Sequence, residues 1–247
     1  RKSPAWVLRA HSFRPLSGGF FMGKNLSRAM MVALTMGAFS APAALAEGEF
    51  SGNVALTSDY VYRGFTQTDG APALQGGFDY ADGDFYVGVW GSGVDFADGT
   101  STEVDLYAGF TPTVGAFDLD LGVIYYLYPD APDEPEQNFV EIYAGASTTV
   151  GAVDLGVSYA YSPEFYLEAG AAGYLAASIG TALSDNFGID ATVGYQDFYD
   201  DDAADAVTDY SIGLTTSIGD YVDLDFRYID TDADTDEAFV ITVSRAL

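Results

Sequence analysis

Hydrophobic and polar residues alternate along this chain with a period of two from about residue 50 onward. In residues 221–228 the apolar side chains fall on one face, namely Val222, Leu224, Phe226 and Tyr228. The polar side chains fall on the other face, namely Asp223, Asp225 and Arg227. Successive side chains of a β-strand point to opposite sides, whereas a helix would scatter both sets around its circumference. The pattern therefore predicts an all-β protein.

The alternation recurs in segments whose connections alternate in length. We place twelve strands at about residues 50–63, 72–81, 84–96, 102–114, 117–128, 138–150, 153–162, 168–183, 187–198, 206–218, 221–230 and 236–247. Tight turns lie at 82–83, 115–116, 151–152, 184–186 and 219–220, and longer acidic stretches lie at 64–71, 97–101, 129–137, 162–167, 199–205 and 231–235. This rhythm is typical of outer-membrane proteins. It predicts a closed antiparallel transmembrane β-barrel of about twelve strands, with short periplasmic turns and longer acidic extracellular loops.

A soluble β-sandwich or an acidic, salt-adapted β-protein is the alternative, since both also show alternation and Gly-rich turns. Aromatic residues where strands meet loops favour the membrane barrel, because aromatic rings line both interfaces of such barrels. The residues in question are Tyr60, Tyr62, Tyr125, Tyr128, Tyr159, Tyr161, Tyr195 and Phe198. The soluble alternative predicts folding without detergent.

The first 46 residues differ in composition from the rest. They hold six of the nine basic residues and none of the 37 acidic ones. Met22 begins a secretory signal pattern, with Lys24 and Arg28 before an apolar stretch at 29–39 and a small-residue cleavage site at 44–46. The apolar stretch is too short to cross a bilayer as a helix. We predict an upstream, non-native extension at residues 1–21, a signal peptide at 22–46 and the barrel at 47–247.

The charge and residue types of residues 47–247 exclude several functions. Three bases (Arg63, Arg227 and Arg245) face 37 acids, which gives a formal charge of −34, and Lys, His, Cys and Met are absent from this part. Such a chain repels phosphate, so no nucleic-acid partner is expected. Without Cys it has no disulfide or thiolate metal site, and without His, Lys or Cys it lacks the usual nucleophiles and general bases. We predict no enzyme activity and no cofactor.

The first three strands resemble a known family. The resemblance lies in residues 58–64 (SDYVYRG), 66–70 (TQTDG), 72–80 (PALQGGFDY), 85–92 (FYVGVWGS) and 103–110 (EVDLYAGF). These motifs are similar to those of the TorF-type porins, a bacterial group of unknown function, over about the first third of the mature chain. The resemblance implies an outer-membrane channel. It implies no substrate and no functional residues.

A repeated hairpin predicts one group of pore-lining acids. TVGAFDL at 113–119 recurs as TVGAVDL at 149–155, with looser copies at 186–190 and 220–224. In each copy an aspartate follows a short turn on the polar face: Asp118, Asp154, Asp190 and Asp223. Closing the barrel would gather these four on one arc at the periplasmic mouth. Asp120 and Asp225 share the faces of Asp118 and Asp223, a pairing that a glycosidase could also use, although a row of lumen acids is the favoured interpretation.

A second group of acids is predicted on polar faces near the long-loop rim, namely Glu103, Asp105, Glu141 and Asp209. Only Arg63 and Arg227 are predicted as pore-lining bases. Rings of carboxylates favour cations and repel anions, so the predicted pore favours cations. Inward acids that merely solvate the wall of a wet barrel are the alternative.

The pore size follows from strand number and lining residues. About 8 strands are filled by side chains and about 16 leave an open channel, so twelve falls between. Glycines predicted to leave space are Gly88, Gly109, Gly122, Gly145, Gly194 and Gly213, whereas Tyr86, Tyr107, Tyr126, Tyr143 and Trp90 consume it. We expect a narrow pore, or a plugged barrel if the first long loop folds inward.

The last long loop offers a weak calcium candidate. Asp230, Asp232, Asp234 and Asp236 alternate there, and hard cations prefer oxygen ligands. The Gly and the distant Glu of an EF-hand are missing, so a solvated acidic loop is favoured and no metal site is predicted.

The sequence thus predicts a porin-like channel in a bacterial outer membrane for passive diffusion of small hydrophilic solutes, favouring cations. Its expected partners are outer-membrane lipid and the small solutes or cations themselves. The alternative is a non-conducting barrel that acts structurally or as a surface receptor through its acidic loops.

Overall fold

The computed structural model describes residues 48–200, 204–219 and 221–247. In chain order its strands are β1 (Glu49–Thr57), β2 (Val61–Tyr62), β3 (Phe65–Thr66), β4 (Ala73–Asp82), β5 (Phe85–Gly93), β6 (Thr102–Phe110), β7 (Thr113–Val114), β8 (Phe117–Leu127), β9 (Phe139–Val150), β10 (Val153–Ser162), β11 (Ala172–Ala182), β12 (Phe187–Phe198), β13 (Val207–Ile218), β14 (Val222–Thr231) and β15 (Ala238–Ala246). A short 3-10 helix, Tyr166–Glu168, lies between β10 and β11. No helix in these residues is long and apolar enough to cross a membrane.

Twelve strands of the described residues close into one antiparallel barrel. The order around the barrel is β1, β4, β5, β6, β8, β9, β10, β11, β12, β13, β14 and β15, with β7 continuing β6 along β8. The pairing of β1 with β15 joins the first strand to the last. The predicted all-β class and the closed antiparallel barrel of about twelve strands are confirmed.

The connections form two distinct ends, which we name the short-turn end and the long-loop end. Gly115 and Gly151 lie in short turns with φ of 68° and 69°, a backbone region that glycine enters without steric cost. The predicted 219–220 turn and 199–205 loop are described except for Asp220 and residues 201–203, which lie outside the described residues. The predicted extension at 1–21 and signal peptide at 22–46 also lie outside them.

The wall of the barrel has an apolar outer face and a mostly polar inner face. Large apolar side chains are exposed on the outside, including Leu74, Phe78, Leu106, Leu121, Ile142, Leu175, Ile212, Phe226 and Ile241. Their neighbours in sequence point inward and are buried, including Gln75, Asp105, Thr192, Ser211, Asp225 and Thr242. An apolar exterior around a polar interior reverses the arrangement of a soluble domain and follows from the period-two sequence pattern.

The first predicted strand is too long, and this is the main correction to the sequence prediction. We predicted one strand over 50–63, but β1 ends at Thr57 and the chain then turns into the barrel. Residues 58–72, which we call the inserted segment, carry the small hairpin of β2 and β3. The alternating SDYVYRG motif therefore marks a segment inside the barrel, where its aromatic side chains find neighbours that the sequence pattern does not reveal.

The predicted aromatic girdle divides between the two faces. Tyr125, Tyr159 and Tyr195 are exposed on the outer wall, at 40%, 41% and 45% of their surface, as an interfacial girdle requires. Tyr60 and Tyr128 instead are buried, and Tyr62 packs against the same interior cluster. These three were wrongly assigned to the girdle, because rings near a strand end can turn either outward to lipid or inward to an inserted loop.

Candidate functional site

The inserted segment crosses the interior of the barrel. It leaves from β1, yet Arg63 at the tip of its hairpin contacts β9, β11 and β12, which lie across the barrel in the strand order. Gly64, next to Arg63, lies against Asp209 of β13 and Thr231 of β14. The sequence analysis offered two possibilities for the lumen, a narrow pore or a first long loop folded inward. The structure shows the loop folded inward.

Arg63 anchors the tip of the inserted segment. Its guanidinium forms a 2.7 Å ion pair with Glu141 and a 2.7 Å hydrogen bond to Gln196. It also lies 4.2 Å from the ring centroid of Tyr174 and 4.7 Å from that of Tyr62, within cation–π range. Its φ of 48° is unusual for a residue other than glycine, so the side-chain contacts hold a backbone conformation that is otherwise unfavourable.

Asp59 fixes the base of the inserted segment. Its Oδ1 atom accepts hydrogen bonds from the hydroxyls of Thr66 and Thr68, each at 2.6 Å. The Thr68 hydroxyl in turn accepts the backbone N–H of Tyr60 at 3.0 Å. Burial raises the pKa of the Asp59 carboxyl, and the two threonine hydrogen bonds oppose that rise. The segment is thus held both where it enters the barrel and at its tip.

The second predicted group of acids lies near the long-loop end, around the inserted segment. Glu103, Asp105, Glu141 and Asp209 are all buried inside the barrel. Glu141 pairs with Arg63, while Tyr60 donates a 2.9 Å hydrogen bond to Glu103. Tyr174 donates to Asp209 at 2.8 Å. The predicted base Arg63 also lies inside, but on the inserted segment and not on a wall strand.

The repeated hairpin produces a repeated hydrogen bond at the short-turn end. Thr113 donates to Asp118 at 2.7 Å, and Thr149 donates to Asp154 at 2.6 Å. Ser217 donates to Asp223 at 2.5 Å in the looser copy. The spacing shared by these copies of the repeat therefore places a hydroxyl opposite each of the three aspartates across the turn. Three of the four predicted aspartates share this arrangement, on alternate strands β8, β10 and β14.

Asp190, the fourth predicted aspartate, is neutralised instead. Arg227 binds it through two hydrogen bonds, of 2.6 and 2.9 Å, and also contacts Asp225 at 3.1 Å. Arg227 lies on β14 and Asp190 on β12, with Gly213 of β13 directly between them. A Cβ atom at position 213 would overlap the guanidinium, so the glycine lets the arginine lie flat across β13.

The same three-strand arrangement recurs elsewhere on the inner wall, and we call it a glycine bridge. Tyr107 of β6 lies across Gly88 of β5 and donates to Asp79 of β4 at 2.5 Å. Tyr174 likewise passes over Gly194 to reach Asp209. These glycines were predicted to leave space, but a side chain from the next strand fills it. Sequence reasoning missed the bridges because they depend on strand register.

A related contact links four neighbouring strands. Tyr86 of β5 lies over Gly109 of β6, and Tyr143 of β9 lies over Gly122 of β8. Their hydroxyls hydrogen-bond to each other where the two rings meet, and Tyr86 also donates to Asp120 at 2.8 Å. The side chains that were predicted to consume lumen volume therefore lie flat along this part of the wall.

Replacing Gly88 with alanine is expected to destabilise the barrel. The new Cβ would overlap the Tyr107 ring, which is buried and hydrogen-bonded to Asp79, so the ring must move and the hydrogen bond is lost. Overpacking of this kind typically costs about 1–3 kcal/mol. Thermal unfolding in detergent, monitored by heat-modifiable gel migration, measures the loss of stability. Gly93→Ala on the same strand is the control, because a Cβ there meets nothing within 4 Å, and equal unfolding temperatures for the two variants would contradict the prediction.

In the weak calcium candidate, the carboxylates of Asp230 and Asp232 already accept hydrogen bonds from the protein. Asp230 faces outward and accepts the hydroxyls of Tyr210 and Tyr228, both at 2.9 Å, and the backbone N–H of Thr231. Asp232 accepts the backbone N–H of Thr208 at 2.7 Å. Asp234 and Asp236 follow in the same loop. Among the described residues no group of three or more acidic or histidine side chains is placed to hold a metal ion.

The closed twelve-stranded barrel, apolar outside and rich in carboxylates inside, has the fold of a porin. The solved structures that share it include "KdgM porin", with a TM-score of 0.58 at 8% identity, covering 79% of this chain and 98% of that one. "KdgM porin in complex with disordered oligogalacturonate" matches with a TM-score of 0.56 at 7% identity, covering 79% and 97%. The chain belongs to the family described as "Bacterial protein of unknown function (Gcw_chp)", whose model matches residues 42–246. No curated protein matches the chain in sequence.

Proposed function

We propose that this protein is an outer-membrane channel for passive diffusion of small hydrophilic solutes, with a preference for cations. The observation that carries the proposal is the division of the wall into an apolar outer face and a polar, acidic inner face. The predicted signal peptide at 22–46 and the TorF-type resemblance support the same location and class. A barrel with this wall would satisfy all backbone groups within lipid while keeping a polar interior.

The charges of the interior support the cation preference. Both predicted pore-lining arginines are held in ion pairs, Arg63 with Glu141 and Arg227 with Asp190 and Asp225. Among the described residues, Asp118 and Asp154 have no arginine partner and accept hydrogen bonds from the neutral hydroxyls of Thr113 and Thr149. Rings of such groups attract cations and repel anions.

The inner side chains differ in size between two sides of the barrel. The buried inner side chains of β10 to β15 are mostly small, and include Ala160, Ala176, Thr192, Ser211, Thr215, Thr242 and Ser244. The opposite side, from β4 to β9, carries the aromatic cluster of Tyr60, Trp90, Tyr126, Tyr128 and Phe139. The tip of the inserted segment, at Arg63 and Gly64, lies against the side with small residues, so a solute path on that side requires the segment to move.

The solute class proposed here differs from the one in the KdgM complex. Oligogalacturonate, which that structure holds, carries a carboxylate on each sugar unit. Within the described part of the chain, two arginines lie inside the barrel, Arg63 and Arg227, and their guanidinium groups already bind carboxylates. The shared fold therefore does not imply a shared ligand. Small cations fit this interior better than polyanions.

Reversal potentials in planar bilayers under a salt gradient test the proposal. We expect single-channel steps and a reversal potential of the sign for cation selectivity. Replacing Asp118, Asp154, Asp190 and Asp223 together by asparagine should lower the cation-to-anion permeability ratio several-fold, because it removes four negative charges near one mouth. Anion preference in the unmodified protein, or an unchanged ratio in the variant, would overturn the cation preference.

A non-conducting barrel is the second candidate function, and the inserted segment is the observation that favours it. The segment crosses the lumen and is held by Arg63 at its tip and by Asp59 at its base. If the segment seals the barrel, the long acidic loops would carry the function as a structural or receptor surface. Absence of conductance steps from a protein that shows heat-modifiable migration would favour this second function.

A further inference from the structure

Glu103 and Asp105 form a buried carboxylate pair that forms no ion pair with any arginine of the described residues. They lie two residues apart on β6, so both point to the barrel interior. Asp105 is 0% exposed and Glu103 is 1% exposed. Arg63, the base of the inserted segment, pairs through its guanidinium with Glu141. Burying a carboxylate without a positive or hydrogen-bonding partner is costly, so the pair requires one.

Asp105 has unused hydrogen-bonding capacity. Among the described residues, neither of its carboxylate oxygens has a hydrogen-bond donor within reach. Glu103 is different, since Tyr60 donates to its Oε1 atom at 2.9 Å. The two Asp105 oxygens offer acceptors to a donor group placed between the side chains, whereas Glu103 also interacts with the Tyr128 hydroxyl. A primary ammonium group carries three N–H donors and one positive charge.

Aromatic rings surround the carboxylate pair. Trp90 of β5 and Tyr126 of β8 are the direct cross-strand neighbours of Asp105 on its two sides. The Tyr60 ring packs edge-on against Trp90, with 5.5 Å between the centroids. Aromatic faces attract organic cations, and the attraction grows when water is excluded. Hard metal ions instead need six or more oxygen ligands. Among the described residues no acidic group of three or more meets that need.

We propose that Glu103 and Asp105, with Trp90, Tyr60 and Tyr126 around them, form a binding site for the primary ammonium group of a small organic cation. The inference rests on the proposed function and names its solute class as amines. The site lies where the inserted segment meets the wall, because Tyr60 belongs to that segment and contacts both Glu103 and Trp90. A cation that passes the inserted segment would therefore meet this pair.

Trp90 provides a direct readout of the site. The chain has two tryptophans, and the other, Trp6, belongs to the residues predicted to be removed on export. Titration of the mature protein in detergent with putrescine (1,4-diaminobutane) should change Trp90 fluorescence in a saturable way. Asp105→Asn should weaken the apparent affinity at least about tenfold, because it removes the negative charge and replaces one acceptor oxygen by an NH2 donor. Asp79→Asn is the control, since Asp79 is an inner-wall carboxylate that Tyr107 binds.

Four results would overturn the proposal. The first is no saturable change with putrescine in the unmodified protein, and the second is equal affinity in Asp105→Asn once heat-modifiable migration shows that the variant is folded. The third is displacement of putrescine by potassium at equal concentration, which indicates an inorganic cation site. The fourth is equal binding of tetramethylammonium, which lacks N–H donors. The fluorescence assay needs no conduction. If the protein conducts but putrescine does not change Trp90 fluorescence, only the amine site is refuted. If putrescine changes the fluorescence but the protein does not conduct, only the channel function is refuted.

Discussion

Replacing Arg63 with alanine is expected to raise the single-channel conductance several-fold. The guanidinium connects the tip of the inserted segment to Glu141 and Gln196 across the lumen. Removing one partner of a buried ion pair typically costs about 3–5 kcal/mol, because the other charge is left buried and unpaired. A change of that size shifts a two-state equilibrium more than about a hundredfold. The inserted segment should therefore leave its position across the barrel for much of the time.

Conductance histograms from planar bilayers measure the effect, and two variants control it. Arg245→Ala removes an arginine from the exposed outer surface near the chain end, so its conductance should match that of the unmodified protein. Arg63→Lys keeps the charge but cannot donate to Glu141 and Gln196 with the same geometry. Its conductance should therefore lie between those of the unmodified protein and Arg63→Ala. Identical conductance in Arg63→Ala and the unmodified protein would mean that the inserted segment does not limit the current.

The strands and short turns could be predicted from the sequence because their causes are local. Alternation fixes which face of each strand is apolar, and the repeat at Gly115 and Gly151 fixes two of the turns. The same local information placed Asp118 and Asp154 on the inner face directly after a turn. It also placed Glu103 and Asp105 inside the barrel near the long-loop end, where the structure has them.

The inserted segment could not be predicted because its causes are distant in sequence. Tyr60 and Tyr62 lie two residues apart, as two rings on one face of a strand would, so their spacing does not separate wall from interior. The decisive contacts are from Arg63 to Glu141, 78 residues away, and to Gln196, 133 residues away. Composition gives one clue, since an arginine inside an acidic barrel needs a carboxylate partner.

The glycine bridges could be predicted from the sequence only in part. Gly88 and Tyr107 are both identifiable as inward-facing from the sequence pattern. Their direct pairing across β5 and β6 follows only once the register is known, and a slip of one residue would reverse every side chain. The predicted inner glycines were therefore correctly placed on the inner face, while the side chains that cover them could not be identified.

Replacing Arg227 with glutamine is expected to raise the cation-to-anion permeability ratio several-fold. Arg227 neutralises Asp190 and Asp225 at 2.6 and 3.1 Å, so its removal adds one net negative charge to the interior. Asp225 is fully buried whereas Asp190 is partly exposed, so the stability cost falls mainly on Asp225. Reversal potentials give the ratio, and thermal unfolding in detergent reports the stability separately.

Gly213→Ala separates the charge of Arg227 from its position. The added Cβ would overlap the guanidinium and push it away from Asp190, but the positive charge stays in the lumen. This variant should lower stability as Arg227→Gln does, while changing the permeability ratio much less. Arg227→Gln and the four-aspartate variant should then move the ratio in opposite directions. Loss of folding would move both in the same direction, so opposite shifts can arise only if these wall charges act on the permeating ions.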